Sequence, residues 1–306
     1  MPQDLAQLSG RPKIKEYAQG RARDAIGQIA EFLAPSVNVS AFTGKYSKYD
    51  ETTRFKIPET LRSLGGDATQ LMFAKTDQNY DCAPHALDTP LDNIEIDEAD
   101  GDNLLMEAAD ESAALGGMAN ESRIIDKALS TVSATGSIGN WSSSSVDPVD
   151  ELNNLIVQVY LAAGGYPSIE VRVLMDPTAL RTFFGNAKVK SYFPGAKEIA
   201  PNIDNIQRLL VGNNKVQTSW LATDTSAEGV APNMAFKLSS KVLVFACSQN
   251  PTRRDPSFMK TFRPRGRWMV PGTYNKPDGR GQVVKMDWAE CIVVANSAAA
   301  KRADIS

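Results

Sequence analysis

The stretch from Asp147 to Phe184 constrains the fold more than any other part of the chain, because four elements with defined ends follow one another there. Asp147 precedes Pro148, an N-cap oxygen beside a residue whose missing N–H costs nothing in the first turn of a helix. Leu152, Leu155, Ile156, Val159, Tyr160 and Ala163 then recur at helical spacing and predict one apolar face, with Ile156 on its buried side. Gly164, Gly165 and Pro167 end that helix with a left-handed turn and a block to continuation. Ile169, Val171 and Val173 alternate with Glu170 and Arg172 as a strand, and Asp176 with Pro177 starts a second helix through Leu180, Phe183 and Phe184.

A chain of 306 residues with a 42% hydrophobic share holds one large domain or two moderate ones. It contains no run of about eighteen apolar residues. The N-terminal MPQDLAQLSG lacks the basic start and apolar stretch of a secretory signal, so a soluble protein made in a cytoplasm is expected, with no membrane partner. Its initial Met argues against trimming from a longer precursor. Cys82, Cys247 and Cys291 are odd in number and far apart, which fits three reduced thiols rather than a disulfide framework or a zinc site. Charge is unevenly placed. Residues 1–56 carry 9 Lys/Arg against 6 Asp/Glu, residues 57–150 carry 4 against 18, and residues 151–306 carry 20 against 12. An acidic middle between basic flanks reads either as solvated surface or as complementary faces that fix the register between copies.

Elsewhere the pattern changes with position. Lys13 to Leu33 has a partial apolar stripe closed by Pro35 and predicts a helix. From Tyr46 to Leu91, short extended runs are broken by Pro58, Gly65, Gly66, Pro84 and Pro90; Phe55–Ile57 and Leu71–Lys75 read as strands, with SLGGDA as the tip between them. Such a hairpin has too few large apolar residues to stand alone and is expected to rest on another chain. Asp97 to Leu129 fits one long helix with Leu104, Leu105, Ala108, Leu115, Met118, Ile125 and Leu129 inside, and Gly116–Gly117 marking a bend or a close backbone approach. Residues 133–146 form a polar loop anchored by Trp141. Pro201 to Leu210 predicts a helix, 223–233 an exposed loop, and Lys241–Cys247 a strand apolar on both faces.

Tests for chemistry give little. The one histidine, His85, cannot supply a histidine-rich metal site and reads as structural. TGKYS at 43–47 lacks the upstream Gly of a phosphate loop and has Tyr46 where Ser or Thr belongs. A calcium loop registered on Gly101 would begin at Ile96, without a carboxylate. No GxSxG, HExxH or GxGxxG is present, so no catalytic, cofactor or metal residue is assigned and the chain is not expected to be an enzyme. Arg253, Arg254, Lys260, Arg263, Arg265 and Arg267, interleaved with Phe258, Phe262 and Trp268, form the densest basic cluster. It reads as a set of interchain salt bridges or, failing that, as a phosphate-binding surface.

The words VLMDPTALRTFF, preceded by NYDCAPHAL and DTPLDNIE and followed by KVLVFACSQNPTRRDPSFMKTFRPRG and VVKMDWAECIVVAN, resemble the major capsid proteins of tailed bacteriophages with the Hong Kong 97-type fold. The resemblance covers nearly the whole chain. It implies an α+β fold with an N-terminal arm (1–45), an extended β-hairpin loop with flanking peripheral strands (46–95), a peripheral domain with a long spine helix (96–140), an axial domain (141–245) and return strands to the peripheral domain (246–306). It also implies a subunit that assembles as hexamers and pentamers into an icosahedral head, localised in the virion after synthesis in the host cytoplasm. Implied partners are other copies, a portal, scaffold or decoration proteins, and packaged double-stranded DNA held by weak nonspecific contact. Arg62 and Asp67 in the hairpin, Asp97 and Glu98 at the acidic segment, and Arg253, Arg254, Arg263 and Arg265 are the candidate intersubunit contacts, the arginines meeting residues 95–111 of a neighbour. No Lys–Asn crosslink is expected. An encapsulin-like nanocompartment shell is the alternative, and an α/β enzyme with a cleft beside Asp176 is the reading from a different class.

Overall fold

The computed structural model describes residues 27–48, 60–62, 64–66, 76–98, 101–135, 138–164, 168–193, 203–212, 214–226, 231 and 233–306. The first half contains α1 (Gly27–Leu33), β1 (Ser36–Val39), β2 (Thr43–Lys48), β3 (Thr76–Asp81), β4 (Ala83–Asp92), α2 (Asn93–Glu98) and α3 (Gly101–Thr131). Next come α4 (Pro148–Ala162), β5 (Ile169–Met175), α5 (Pro177–Gly185), α6 (Ala187–Ser191), α7 (Ile203–Leu209), β6 (Asn214–Thr218), β7 (Ala222–Asp224) and β8 (Met234–Phe236). The chain closes with β9 (Lys241–Ser248), β10 (Met259–Pro264), β11 (Val270–Asn275), β12 (Gly281–Val294) and β13 (Ala300–Asp304).

The unit after Asp147 folds as its residues dictate. Asp147 accepts the Val149 N–H at 3.0 Å and caps α4, with Pro148 in the first turn. Leu152, Leu155, Ile156, Val159 and Ala163 are fully buried, and Gly164 turns the chain at φ +77°. Asp176 caps α5 in the same way, accepting the Thr178 N–H at 2.9 Å. Between them β5 lies in a four-stranded sheet ordered β13-β9-β5-β6, parallel to β6 and antiparallel to β9.

Strand β9 is apolar along its length because both faces of this sheet are covered. Val242, Val244 and Ala246 join one core with α4, α5 and α7, while Leu243, Phe245 and Cys247 join a second core with α1 and α3. Glu170 and Arg172 differ from the solvent-facing alternation expected of them. Glu170 is buried and pairs with Arg172 at 2.5 Å and Lys215 at 3.1 Å. Arg172 also donates to the Phe32 carbonyl at 2.8 Å, meeting the last carbonyls of α1. A charged pair inside a strand thus serves as the joint to the N-terminal helix.

The second core is closed by a five-stranded sheet in which long β12 pairs antiparallel with β4, β10 and β11, and β1 runs parallel to β10. Strands β2 and β3 pair antiparallel from Thr43↔Asp81 to Lys48↔Thr76. Of the expected hairpin, Phe55–Ile57, Leu71–Lys75 and Asp67 lie outside the described residues, as do residues 13–26 of the expected N-terminal helix. Leu64 and Gly65 form a turn, with Gly65 at φ +80°.

Three expectations change. The helix expected over 97–129 is two helices. A capping box starts α2 at Asn93, with Asp92 accepting the Ile94 N–H and Glu95 accepting the Asp92 N–H, both at 3.0 Å. Of the face expected inside α3, Ala108 and Ile125 are buried, but Leu115 and Met118 are 53% and 41% exposed; near them the helix buries Ala109, Ser112, Ala113, Asn120 and Glu121. The cause is a close approach to the sheet: a Cβ on Gly116 would stand 3.2 Å from Met269 Cε and 3.3 Å from the Trp288 ring. Finally, residues 246–306 do not all return to the five-stranded sheet. A turn capped by Asn296 at Ser297–Ala299 redirects the chain, and β13 pairs with β9. From there Arg302 donates to the carbonyls of Leu129 and Val132 at 3.2 and 3.1 Å, satisfying the end of α3.

Candidate functional site

The expected contact residues divide into exposed and buried sets. Arg62 is exposed in the hairpin, and Asp97 and Glu98 are exposed in the last turn of α2, a helix with no buried residue. Arg253 and Arg254 are exposed on the turn between β9 and β10, and Arg265 is exposed where β10 ends. Arg263, expected to bridge copies, points inward and is 7% exposed. Strand β10 is central to its sheet and buried at every position, so a side chain there has no route to a neighbour.

Arg263 belongs to a polar network inside its own subunit. Its guanidinium lies 3.4 Å from the Trp268 ring centroid, pairs with Glu31 at 2.6 Å and approaches Glu290 at 3.9 Å. Arg123 from α3 reaches Glu290 at 2.7 Å. Asn120, with its amide nitrogen turned toward Glu290, donates to both carboxylate oxygens at 2.7 and 3.0 Å. Burial raises the Glu290 carboxyl above its ordinary value against the pull of Arg263 and Arg123. Removing one member of such a buried set costs about 3 to 5 kcal/mol, because it strands a charge. A substitution at Arg263 therefore reports on folding.

His85 sits at the edge of this network, with Nδ1 3.0 Å from Arg123 Nη1 and its ring stacked on Trp288 at 5.4 Å. Burial and then the Arg123 charge lower its pKa, so it stays neutral and takes a hydrogen bond from Arg123. The thiols are similarly unreactive: burial raises Cys82 to about 11 and Cys247 to about 12, and all three cysteines are free. Among the described residues, no group of three or more His, Cys, Asp and Glu could hold a metal ion, and no helix is long and apolar enough to cross a membrane.

What the described surface offers instead is shape and charge. Arg253 and Arg254 share with Lys45, from β2, the wall of a cleft of about 610 Å3. Lys45 was not singled out by the sequence, because only the hairpin stem brings it beside a turn 200 residues later. Lys260, a member of the same basic cluster in sequence, is fully buried under that turn. Near the hairpin tip Leu61 and Leu64 are 87% and 105% exposed, and beyond α7 Trp220 is 67% exposed. Aliphatic and aromatic side chains left this open are the material from which interfaces between chains are made.

No protein-family model matches the chain. A major capsid protein of Pseudomonas phage JBD67 is 29% identical over 176 residues, a match that covers 54% of this chain and 53% of that protein. The match thus spans about half the length of the curated relative. A phage-related protein from Bordetella bronchiseptica RB50 superposes with a TM-score of 0.72 at 17% identity, covering 96% of each chain. The virus-like particle of Pyrococcus furiosus gives 0.56 at 10% identity over 95% of this chain and 98% of that one. The capsid of Cyanophage P-SCSP1u gives 0.52 at 11% identity, over 90% and 87%. Together these likenesses establish the fold as the Hong Kong 97-type capsid fold over almost the whole chain.

Proposed function

We propose that the chain is the major capsid subunit of a tailed bacteriophage, assembling as hexamers and pentamers into an icosahedral head around double-stranded DNA. The observation that carries this reading is a capsid fold along nearly the whole chain joined to a relative named as a phage major capsid protein. On this reading the core around α4, α5 and α7 is the axial domain at the capsomer centre, with β13 added to residues 141–245. The five-stranded sheet and α3 are the peripheral domain and its spine; of the arm assigned to residues 1–45, α1 and β1 pack into the subunit's own core and sheet. The mechanism is geometric. Modest contacts repeated around closed symmetry make a shell far more stable than any one of them, because each added subunit engages several neighbours.

The hairpin bears on this reading most directly, since Leu64 is fully exposed there. A neighbour in the shell would bury it, and full burial would contribute about 1.5 to 3 kcal/mol. Arg62, Asp67 and Arg265 are assigned to the same class of contact. Portal, scaffold or decoration proteins and weakly held DNA are the further partners of a head subunit, and the virion is its place. Deleting residues 62–69 tests the hairpin. The expected result is a folded subunit with an unchanged unfolding midpoint that builds no stable shell; normal shells of unchanged heat resistance would remove the hairpin from the assembly.

The second reading is an encapsulin-like compartment shell; the likeness to a virus-like particle fits a shell of either kind. Neighbouring terminase and portal genes support the phage head, and a neighbouring peroxidase or ferritin-like gene supports the compartment.

A further inference from the structure

The cleft between β1, β2 and the turn that follows β9 is held more firmly than an exposed turn requires. Lys260, fully buried, donates from Nζ to the carbonyls of Thr252 at 2.7 Å and Asp255 at 2.8 Å, and pairs with the Asp255 carboxylate at 2.8 Å. Asp255 accepts the backbone N–H groups of Thr252 at 2.6 Å and Ser257 at 3.0 Å. Ser47 N–H donates to the Arg253 carbonyl at 3.3 Å and ties the turn to the hairpin stem. Burying an ammonium costs several kcal/mol unless it is fully bonded, and here every bond goes into fixing the turn that displays Arg253 and Arg254. A recognition surface fixed in advance loses less entropy when its partner arrives.

The cleft has two kinds of wall. Lys45, Arg253 and Arg254 bring three cations against one carboxylate, Asp77, while Val37, Tyr46 and Pro251 are apolar. Helix α2 carries the matching features. It has no buried residue, Ile94 is 67% exposed, and Asp97 and Glu98 lie in its last turn, where the helix dipole disfavours carboxylates and no basic residue is present. The two features lie far apart in one subunit. Strand β4 begins at Ala83, beside the hairpin stem, and ends at Asp92, where α2 starts; its ten residues span about 30 Å at roughly 3.3 Å each. A chain therefore does not place its own α2 in its own cleft.

We propose that this cleft receives α2 of a second copy of the chain, with Ile94 against Val37, Tyr46 and Pro251, and Asp97 and Glu98 against Lys45, Arg253 and Arg254. The contact joins two different patches, so it repeats head to tail and suits a ring or a shell rather than a symmetric pair. It rests on the capsid reading and names one of its interfaces. Duplex DNA is the competing occupant, but a phosphate backbone has no use for the apolar wall.

Two measurements test it. In the first, equal amounts of unlabelled and isotope-labelled protein are mixed, assembled and treated with a carbodiimide, which joins a lysine amine to a carboxylate with loss of water. Mass spectrometry is expected to find Lys45 joined to Asp97 or Glu98 in peptides that mix the two labels. In the second, Arg253→Glu with Arg254→Glu, and separately Asp97→Lys with Glu98→Lys, are expected to lower assembled yield by at least about tenfold, the equivalent of 1.4 kcal/mol. The unfolding midpoint of each should stay unchanged, and combining all four substitutions should restore yield to within about threefold of wild type. Shells that form with no such link, together with normal assembly of the arginine variant, would overturn the contact while leaving the capsid reading intact. Loss of salt-dependent DNA binding in that normally assembling variant would give the cleft to DNA. Should the mixed link form in small oligomers while no shell ever appears, the contact stands and the capsid reading falls.

Discussion

Helix α4 buries Leu152, Leu155, Ile156 and Val159 and leaves Val157 and Leu161 outside, whereas the 108–117 stretch of α3 buries Ala, Ser and Gly and leaves Leu115 exposed before Ile124 and Ile125 turn inward. Both pack on a sheet. They differ in how near the sheet comes. At α4 the gap is wide enough for Leu152, Leu155 and Ile156, so hydrophobic periodicity reports the buried face. At α3 the Gly116 backbone lies against Met269 and Trp288, and only Ala, Ser and Gly fit along that stretch. Exclusion of bulk, rather than hydrophobicity, selects the buried face there. Leu115 and Met118 are displaced to the surface.

The contrast predicts effects of different size and sign. Ile156→Ala on α4 is expected to cost the most, about 2 to 5 kcal/mol, because a fully buried side chain leaves a cavity. Denaturant unfolding measures this, and an unchanged midpoint would take α4 out of the core. Next comes Glu121 on α3, 5% exposed, whose carboxyl is pushed up to about 7 by burial. The folded state binds its proton more tightly than the unfolded state does. The resulting stabilisation is complete below the ordinary value of 4.5 and is lost as pH rises through about 7. Glu121→Gln should therefore match the wild type near pH 4 and exceed it at pH 8 by at most about 3 kcal/mol, at 1.36 kcal/mol per pKa unit. A constant difference across that range would show that the fold does not raise the Glu121 pKa. Smallest is Gly116→Leu, expected to cost about 1 to 3 kcal/mol by overpacking against Trp288. If the leucine variant were instead more stable, the close approach would not be what shapes α3.

These two helices also show what the sequence could reveal. The Asp147–Pro148 and Asp176–Pro177 starts, the Gly164 stop and the doubly buried β9 were legible because each depends on residues close together in the chain. The two-part reading of 93–131 was legible in principle, since Asp92 and Glu95 form a capping box, but the acidic run masked it. The inward turn of Arg263 was not, because Glu31 and Glu290 meet it only through the parallel pairing of β1 with β10 and the antiparallel pairing of β10 with β12. The same holds for Lys45 beside Arg253. Exposed and buried arginines look alike in sequence, and only long-range strand pairing separates them. The return of β13 to the first sheet was likewise hidden, because AKRAD carries too few apolar residues to announce a central partner.

The central claim is that this chain closes a shell with copies of itself. Negative-stain electron microscopy of the purified, concentrated protein tests it most directly. The account predicts hollow particles of uniform diameter with angular outlines, built from clustered subunits. Protein that stays monomeric at every concentration and salt condition tried, while remaining folded, would contradict it.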